Sequence, residues 1–128
     1  MGQTWCFLDY VDDDGENQIK PWLDSLPKAA KVKINAVLRR LEVRELLGEP
    51  EMKQLKGACD GLLEVRVRDS RVQYRPLGCY GPGNHEVTLL IGAVEKGNKF
   101  EPRTACAIAL TRKYAIQGGE HIRDHDFR

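Results

Sequence analysis

The spacing of hydrophobic residues changes along the chain, from a helical repeat in the first half to a two-residue repeat in the second. Over residues 28–47 the apolar positions fall three or four apart, which places them on one face of a helix. These positions are Ala30, Ile34, Val37, Leu38 and Leu41. Gly48 and Pro50 stop the pattern, so the sequence predicts a long amphipathic helix that ends there.

Two shorter elements precede this helix. Residues 5–11 are apolar and aromatic and predict a first strand, which the acidic turn at 12–15 ends. Residues 16–25 predict a short helix whose inward positions are Ile19, Trp22, Leu23 and Leu26. Pro27 then stands where a second helix can begin.

A two-residue repeat over 63–75 predicts a β-hairpin with one apolar and one basic face. Leu63, Val65, Val67, Val72 and Tyr74 form the apolar face and point to the core. A two-residue turn at Asp69 and Ser70 is expected to join the strands. That register sets Arg68 opposite Arg71, Arg66 opposite Gln73, and Glu64 opposite Arg75, the last as a structural ion pair.

The remaining pattern completes a β-α-α-β-β-β-α order. Residues 78–85 predict a loop, residues 87–94 a buried central strand, and Pro102 the start of a last helix. The inward positions of that helix are Ala105, Ile108, Ala109 and Tyr114. We therefore expect an α+β fold, a small mainly antiparallel sheet with two N-terminal helices and one C-terminal helix, all helices on one face. Residues 1–117 would form one domain, and 118–128 a polar, flexible tail.

Length and composition fit one folded domain outside the membrane. The chain has 128 residues, 41% hydrophobic and 30% charged, and no apolar run long enough to span a bilayer. No secretory signal pattern is visible, so we expect a cytoplasmic protein without a membrane partner.

The four cysteines form no CxxC pair. A disulfide would require an oxidising compartment, so four reduced cysteines are expected.

The net charge of +1 conceals a basic body. Residues 1–27 hold six acidic side chains and one lysine, and the other 19 bases lie in residues 28–128. Bases from three segments are expected on the exposed sheet face, which suits a phosphate chain. They are Lys53 and Lys56 before the hairpin, Arg66, Arg68 and Arg71 within it, and Lys96, Lys99 and Arg103 after the last strand. The alternative is a solvated sheet surface.

Histidines and tyrosines outside the basic set are weaker candidates for chemistry. His121 and His125, with Asp124 and Asp126, have metal-ligand residue types, but they fall in the expected flexible tail. We therefore expect no metal and no other cofactor. His85 is either a solvated loop residue or a general acid, and Tyr80 in the same predicted loop is a candidate for stacking on an RNA base.

Several short motifs in order resemble the phage-derived Gp49-like branch of the RelE/HigB toxin superfamily, over about residues 5–115. They include Gln54-Leu55-Lys56, Leu63-Glu64-Val65-Arg66, Arg71-Val72-Gln73-Tyr74, and the apolar strand followed by Lys96, Lys99 and Pro102. Residues 22–27, Trp-Leu-Asp-Ser-Leu-Pro, resemble the family's first helix end. The sequence differs from the pattern at Ser70 and Glu95, where the family has a tyrosine and a lysine.

The resemblance implies the RelE-like fold and the toxin of a type II toxin–antitoxin pair. Such a toxin cuts messenger RNA, usually on the ribosome, by metal-independent attack of a ribose 2′-hydroxyl on the next phosphate. The motif positions imply Arg66 and Arg71 at the cleaved phosphate, with Lys96 and Lys99 next and Lys53, Lys56, Arg68 and Arg103 as further RNA contacts. The implied partners are messenger RNA, the ribosome and a cognate antitoxin, of helix-turn-helix type.

Two other functions remain open at this point. A branch of the superfamily inhibits DNA gyrase instead of cutting RNA, and a phage-derived relative without activity could be a binding module only. The Arg66 and Arg71 cluster favours RNA cleavage over gyrase inhibition, because gyrase inhibitors do not need it.

Overall fold

The computed structural model describes residues 3–128, which form three α-helices and ten short strands. The helices are α1 (Lys20–Asp24), α2 (Lys28–Glu42) and α3 (Ala105–Ala115). The strands are β1 (Cys6–Tyr10), β2 (Met52–Gln54), β3 (Leu63–Val65), β4 (Val67–Asp69), β5 (Val72–Tyr74), β6 (Leu77–Tyr80), β7 (Glu86–Ile91), β8 (Val94–Lys96), β9 (Lys99–Glu101) and β10 (Ile122–Asp124). The predicted α+β class, with its three helices and mainly antiparallel sheet, is confirmed.

The strands form two sheets that share three long chain segments. The larger sheet has the order β10-β1-β7-β6-β3-β2 and the smaller sheet β4-β5-β8-β9, with β1 and β7 as the parallel pair. Each shared segment passes from one sheet to the other through a short break. The breaks lie at Arg66, at Arg75–Pro76 and at 92–93, and hydrogen bonds such as Arg75 N–H to the Ala93 carbonyl (2.8 Å) link them. The two sheets are therefore halves of one bent surface.

Two residues at the breaks, Pro76 and Gly92, suit the backbone and packing of the bend. Pro76 has no N–H to donate, and its carbonyl accepts a hydrogen bond from the Val65 N–H at 2.9 Å. Gly92 lies directly under the ring of Trp22, and a Cβ there would come within 1.9 Å of that ring. Any side chain at Gly92 would thus displace Trp22, so glycine at this position allows α1 to approach the sheet.

Helices cover both faces of the larger sheet, so the expectation that all helices share one face is wrong. The predicted stripe of α2 is buried together with Phe7, Leu63, Val65 and Val87. Leu77 and Leu90 belong to a second core, which packs against Ala105 and Ala109 of α3. The physical reason is β7: an apolar strand at the centre of a sheet needs cover on both faces.

Three local predictions are also corrected. Residues 78–80, predicted as loop, belong to β6, which lies between β3 and β7. Tyr114, predicted to point inward, is 73% exposed. The predicted strand at 87–94 is central but is interrupted at Gly92, because the chain passes there into the smaller sheet.

The last residues are ordered, so the predicted flexible tail is wrong. Strand β10 pairs antiparallel with β1, and the side chain of His125 is fully buried behind it. His125 Nδ1 lies 2.7 Å from Asp9 Oδ1, and Nε2 lies 2.9 Å from Asn35 Oδ1. The Asn35 amide nitrogen donates to the Phe127 carbonyl at 3.2 Å, which fixes the direction of its oxygen. The buried ring is therefore held between two polar side chains, and Nδ1 donates to the Asp9 carboxylate.

The expectation of four reduced cysteines is wrong for one pair. Cys59 and Cys106 form a disulfide, with Cα atoms 5.3 Å apart. A short 3₁₀ helix at Gly57–Cys59 packs on the start of α3 and brings together two cysteines that are 47 residues apart in sequence. Cys6 and Cys79 are free thiols. Burial raises the pKa of Cys79 to about 11, which makes it an unreactive core residue.

Candidate functional site

A cleft of about 250 Å³ lies across the bend, with walls from both sheets. Its lining contains three bases and two acids: Lys53, Leu55, Glu64, Arg66, Glu95, Asn98, Lys99 and Phe100. Strands β2 and β3 supply the side of the larger sheet, and β8 and β9 supply the side of the smaller one. The cleft is therefore a place where cationic and acidic side chains from separate elements converge.

Glu64 is the most buried charged group in the cleft wall. Only 7% of its side chain is exposed, and its Oε1 lies 3.3 Å from Arg66 Nε and 3.8 Å from Arg75 Nε. Burial raises the pKa of Glu64, and the nearby Arg75 and Arg66 oppose that rise. A carboxyl group with a raised pKa in a cleft is suited to proton transfer.

Arg75 lies behind the cleft wall and contacts acidic residues from both of its sides. It is buried, and its Nε lies 3.1 Å from Glu95 Oε1. Its other nitrogens donate to the Tyr74 carbonyl and to the Gln73 side chain. Since its donors are occupied inside the protein, Arg75 is a structural residue. Glu95 was not predicted as its partner, because the two residues are 20 positions apart in sequence.

Arg66 stands at the break between β3 and β4 and is the arginine that faces the cleft. Its side chain is 35% exposed and has two carboxylate neighbours, Glu64 and Glu49, the latter at 3.6 Å from Nη1. The predicted register placed Arg66 opposite Gln73, and the structure instead places these two carboxylates beside it. Glu49 is 66% exposed, so an incoming phosphate can replace it beside Arg66 at little cost.

The register of the hairpin differs from the predicted one by two residues. Val67 pairs with Tyr74, Arg68 with Gln73, and Asp69 with Val72, so the turn consists of Ser70 and Arg71, both with positive φ. The ladder continues into the larger sheet, where Glu64 lies opposite Leu77. The pairing of β3 with β6 fixes the register of the hairpin. It was not predicted, because residues 78–85 were expected to form a loop.

The predicted cluster of three hairpin arginines is therefore not formed as expected. Arg71 lies at the turn and does not line the cleft, and Arg68 is exposed beside Gln73. The guanidinium groups of Arg66 and Arg75 both lie next to Glu64, at 3.3 Å and 3.8 Å from its Oε1. The predicted assignment of apolar residues to the core-facing side of the strands is correct, since Leu63, Val65, Val67 and Tyr74 are buried.

Two lysines share the cleft with Arg66. Lys53 lies on β2 opposite Glu64, and Lys99 begins β9 on the far wall. Lys96 does not line the cleft, because its neighbour Glu95 does and side chains alternate along a strand. Its Nζ lies 3.3 Å from Glu101 Oε2. Lys56 and Arg103 are exposed and lie outside the lining.

Tyr80 and His85, the two candidates outside the basic set, both lie beside the ring of Trp5. Tyr80 is 43% exposed at the end of β6, and its ring lies 5.5 Å from that of Trp5. The Trp5 ring in turn lies 5.1 Å from exposed His85. Among residues 3–128, no group of three or more His, Cys, Asp or Glu side chains is arranged to hold a metal ion.

The polar cluster around His125 was missed, although the sequence contains one signal of it. Asp9 sits two positions after Phe7 in an apolar strand, so both face the same core by the alternation of a strand. A buried aspartate requires a partner. Its histidine partner, however, lies 116 residues away, in a segment whose composition predicts a tail.

Comparison with known proteins gives one match. The sequence model of a family described as "Phage derived protein Gp49-like (DUF891)" matches residues 21–114. This range includes both walls of the cleft and most of α3, and it excludes β1 and β10. No curated protein and no solved structure matches the chain. No helix among the described residues is long and apolar enough to cross a membrane.

Proposed function

The chain belongs to the Gp49-like family of phage-derived proteins, and from that membership we propose that it is the toxin of a type II toxin–antitoxin pair and cleaves messenger RNA. Proteins of this family are typically parts of toxin–antitoxin pairs, which supports an antitoxin as its partner. The observation that carries the cleavage proposal is the cleft at the bend. There a buried glutamate with a raised pKa lies 3.3 Å from the half-exposed guanidinium of Arg66.

Each step of RNA cleavage has a candidate group in this cleft. Glu64 accepts the proton of the 2′-hydroxyl while the 2′-oxygen forms a bond to the adjacent phosphorus. Arg66, with Lys53 and Lys99, stabilises the negative charge that builds up on the phosphoryl oxygens. The bond from phosphorus to the 5′-oxygen breaks, and a lysine ammonium gives that oxygen a proton. The products are a 2′,3′-cyclic phosphate and a 5′-hydroxyl.

Basic residues outside the cleft are proposed to contact RNA away from the cleaved bond. Arg68 and Arg71 lie on the hairpin, and Lys56, Lys96 and Arg103 are exposed outside the cleft lining. Since Arg71 and Lys96 do not line the cleft, we propose a binding role for them instead of the catalytic role that their motif positions imply. Action on the ribosome and an antitoxin of helix-turn-helix type are parts of the same proposal.

A second function has one observation in its favour. Carboxylates lie beside Arg66 in the cleft and beside Arg75 behind it. Glu49 and Glu64 neighbour Arg66, and Glu64 and Glu95 neighbour Arg75. Such neutralisation weakens attraction for phosphate, as expected for a toxin of the same fold that inhibits DNA gyrase or for a binding module without activity. The experiments below separate these possibilities from RNA cleavage.

The chemistry of cleavage is tested by the ends of the products. RNA incubated with the purified protein should yield 2′,3′-cyclic phosphate or 3′-phosphate ends and 5′-hydroxyl ends, and cleavage of free RNA should continue in EDTA. A substrate with a 2′-deoxy or 2′-methoxy sugar on the 5′ side of the cut should stay intact, because the nucleophile is missing. Cutting of the deoxy substrate, or loss of activity on chelation, would rule out this mechanism.

The role of Glu64 is tested by the pH dependence of cleavage. The carboxylate accepts a proton only when it is ionised, so kcat/KM should fall as the pH drops through the pKa of Glu64, which lies above the ordinary 4.5. Glu64→Gln should lower kcat by about 100-fold and remove this acidic limb. Glu101→Gln, at an exposed acid outside the cleft, is the control. An unchanged acidic limb in Glu64→Gln would assign proton transfer to another group.

A further inference from the structure

Beyond the cleft, the protein has an aromatic surface that the mechanism above does not use. Tyr80 is exposed on one side, and on the other its ring packs at 5.5 Å from Trp5 with an angle of 44° between the planes. Trp5 is itself held by a hydrogen bond from Nε1 to the Glu45 carbonyl, at 3.3 Å. The Tyr80 ring is therefore supported in one orientation while part of its surface is open to a ligand.

Two depressions flank Tyr80, and Lys113 of α3 lines both. One, of about 280 Å³, also contains Gln54 and Leu55 in its wall, and the other, of about 160 Å³, lies toward Gln117. The Lys113 ammonium donates to the Gly61 carbonyl at 3.0 Å. An ammonium group has three protons, so two remain for another acceptor. An aromatic ring and a lysine thus stand side by side at the surface.

The larger depression adjoins the cleft that contains Glu64 and Arg66. Leu55 lines both, and Lys53 of the cleft is two residues from Leu55 along an extended segment, about 7 Å. Since the depression and the cleft share Leu55, one RNA strand can pass from one to the other.

We propose that Tyr80 and Lys113 form a binding subsite for RNA, in which a base next to the cleavage site stacks on Tyr80 and Lys113 contacts the neighbouring phosphate. This inference rests on the proposed cleavage of RNA in the cleft. Stacking on an aromatic ring is indifferent to which base is present, so the subsite positions the strand and contributes affinity. The subsite would thereby direct single-stranded RNA into the cleft, since the bases of a single strand are free to stack on the ring.

The test measures binding of a short, non-cleavable 2′-methoxy RNA to the full chain by fluorescence anisotropy. Tyr80→Leu should weaken binding about 5- to 100-fold, the range for loss of one stacked base, while Tyr80→Phe, which keeps the ring, should bind within 2-fold of wild type. Tyr114→Leu is a matched control, because Tyr114 is exposed on α3 and lines neither depression. Circular dichroism and thermal melting establish that each variant is folded.

A scan of abasic positions identifies the base that stacks. In wild type, one abasic position should reduce affinity as much as Tyr80→Leu does, and in Tyr80→Leu that same position should cause no further loss. Lys113→Gln should lower the slope of log affinity against log salt by about 0.7, the value for one contact with a single strand.

The outcomes separate this inference from the proposal on which it rests. Equal affinity of Tyr80→Leu and Tyr80→Phe, in a protein that binds and cuts RNA, would overturn the subsite and leave the proposed function intact. Absence of RNA binding and cleavage in wild type would overturn both.

Discussion

Replacing Arg66 with alanine is expected to abolish the growth arrest that expression of the wild-type chain causes without its antitoxin. Arg66 is the arginine that faces the cleft, and its guanidinium is placed to stabilise the transition-state charge on the phosphate. Loss of such a group slows cleavage by about 1,000-fold. The measurements are growth after induction, primer extension on cellular messenger RNA, and cleavage of RNA by the purified variant.

Arg71→Ala is the matched control for this experiment. Its side chain is exposed at the hairpin turn, outside the cleft lining, so the variant removes the same charge without changing the site. It should keep most of its toxicity and lose only some affinity for RNA. Growth arrest that persists in a folded Arg66→Ala protein would point to gyrase or another target. Loss of toxicity in Arg71→Ala alone would restore Arg71 to the catalytic role implied by its motif.

Replacing Asp9 with asparagine is expected to lower the free energy of unfolding by about 1–3 kcal/mol, because one carboxylate oxygen becomes an NH2 donor and a buried donor of His125 or Asn17 loses its acceptor. Asp9 has no exposed surface, and its two carboxylate oxygens accept from His125 and, at 3.0 Å, from the Asn17 amide. The measurement is equilibrium unfolding in urea at neutral pH.

Asp124→Asn serves as the control for Asp9→Asn. Asp124 lies on β10, opposite Leu8 of β1, and its side chain is exposed. Its replacement should change the free energy of unfolding by less than about 0.5 kcal/mol. An Asp9→Asn protein as stable as the control would contradict a stabilising role for the buried hydrogen bonds of Asp9.

The sequence predicts best those elements whose pattern is local. The stripe of α2 and the alternation in the hairpin require only the spacing of apolar residues within one element, and both are confirmed by burial. The register of the hairpin could not be predicted in this way. It depends on the pairing of β3 with β6, and β6 contains Gly78 and a polar flank that resemble a loop.

The candidate site is predictable in its bases and not in its acids. Lys53, Arg66 and Lys99 were expected on one surface and do line one cleft. Glu64 and Glu95 could not be assigned to it, because each is an ordinary alternating acid until the bend brings two sheets together. The disulfide and the contact of Asp9 with His125 could not be predicted either, because each joins segments that are far apart along the chain.

The disulfide between Cys59 and Cys106 makes a closed covalent ring that contains most of the cleft. Glu64, Arg66, Glu95 and Lys99 all lie within that ring, whereas Lys53 lies outside it. One cut by a protease at any exposed loop within the ring, such as the turn at Ser70 and Arg71, therefore leaves the two pieces attached to each other. On a denaturing gel the nicked chain would migrate as one species until a reductant separates its halves.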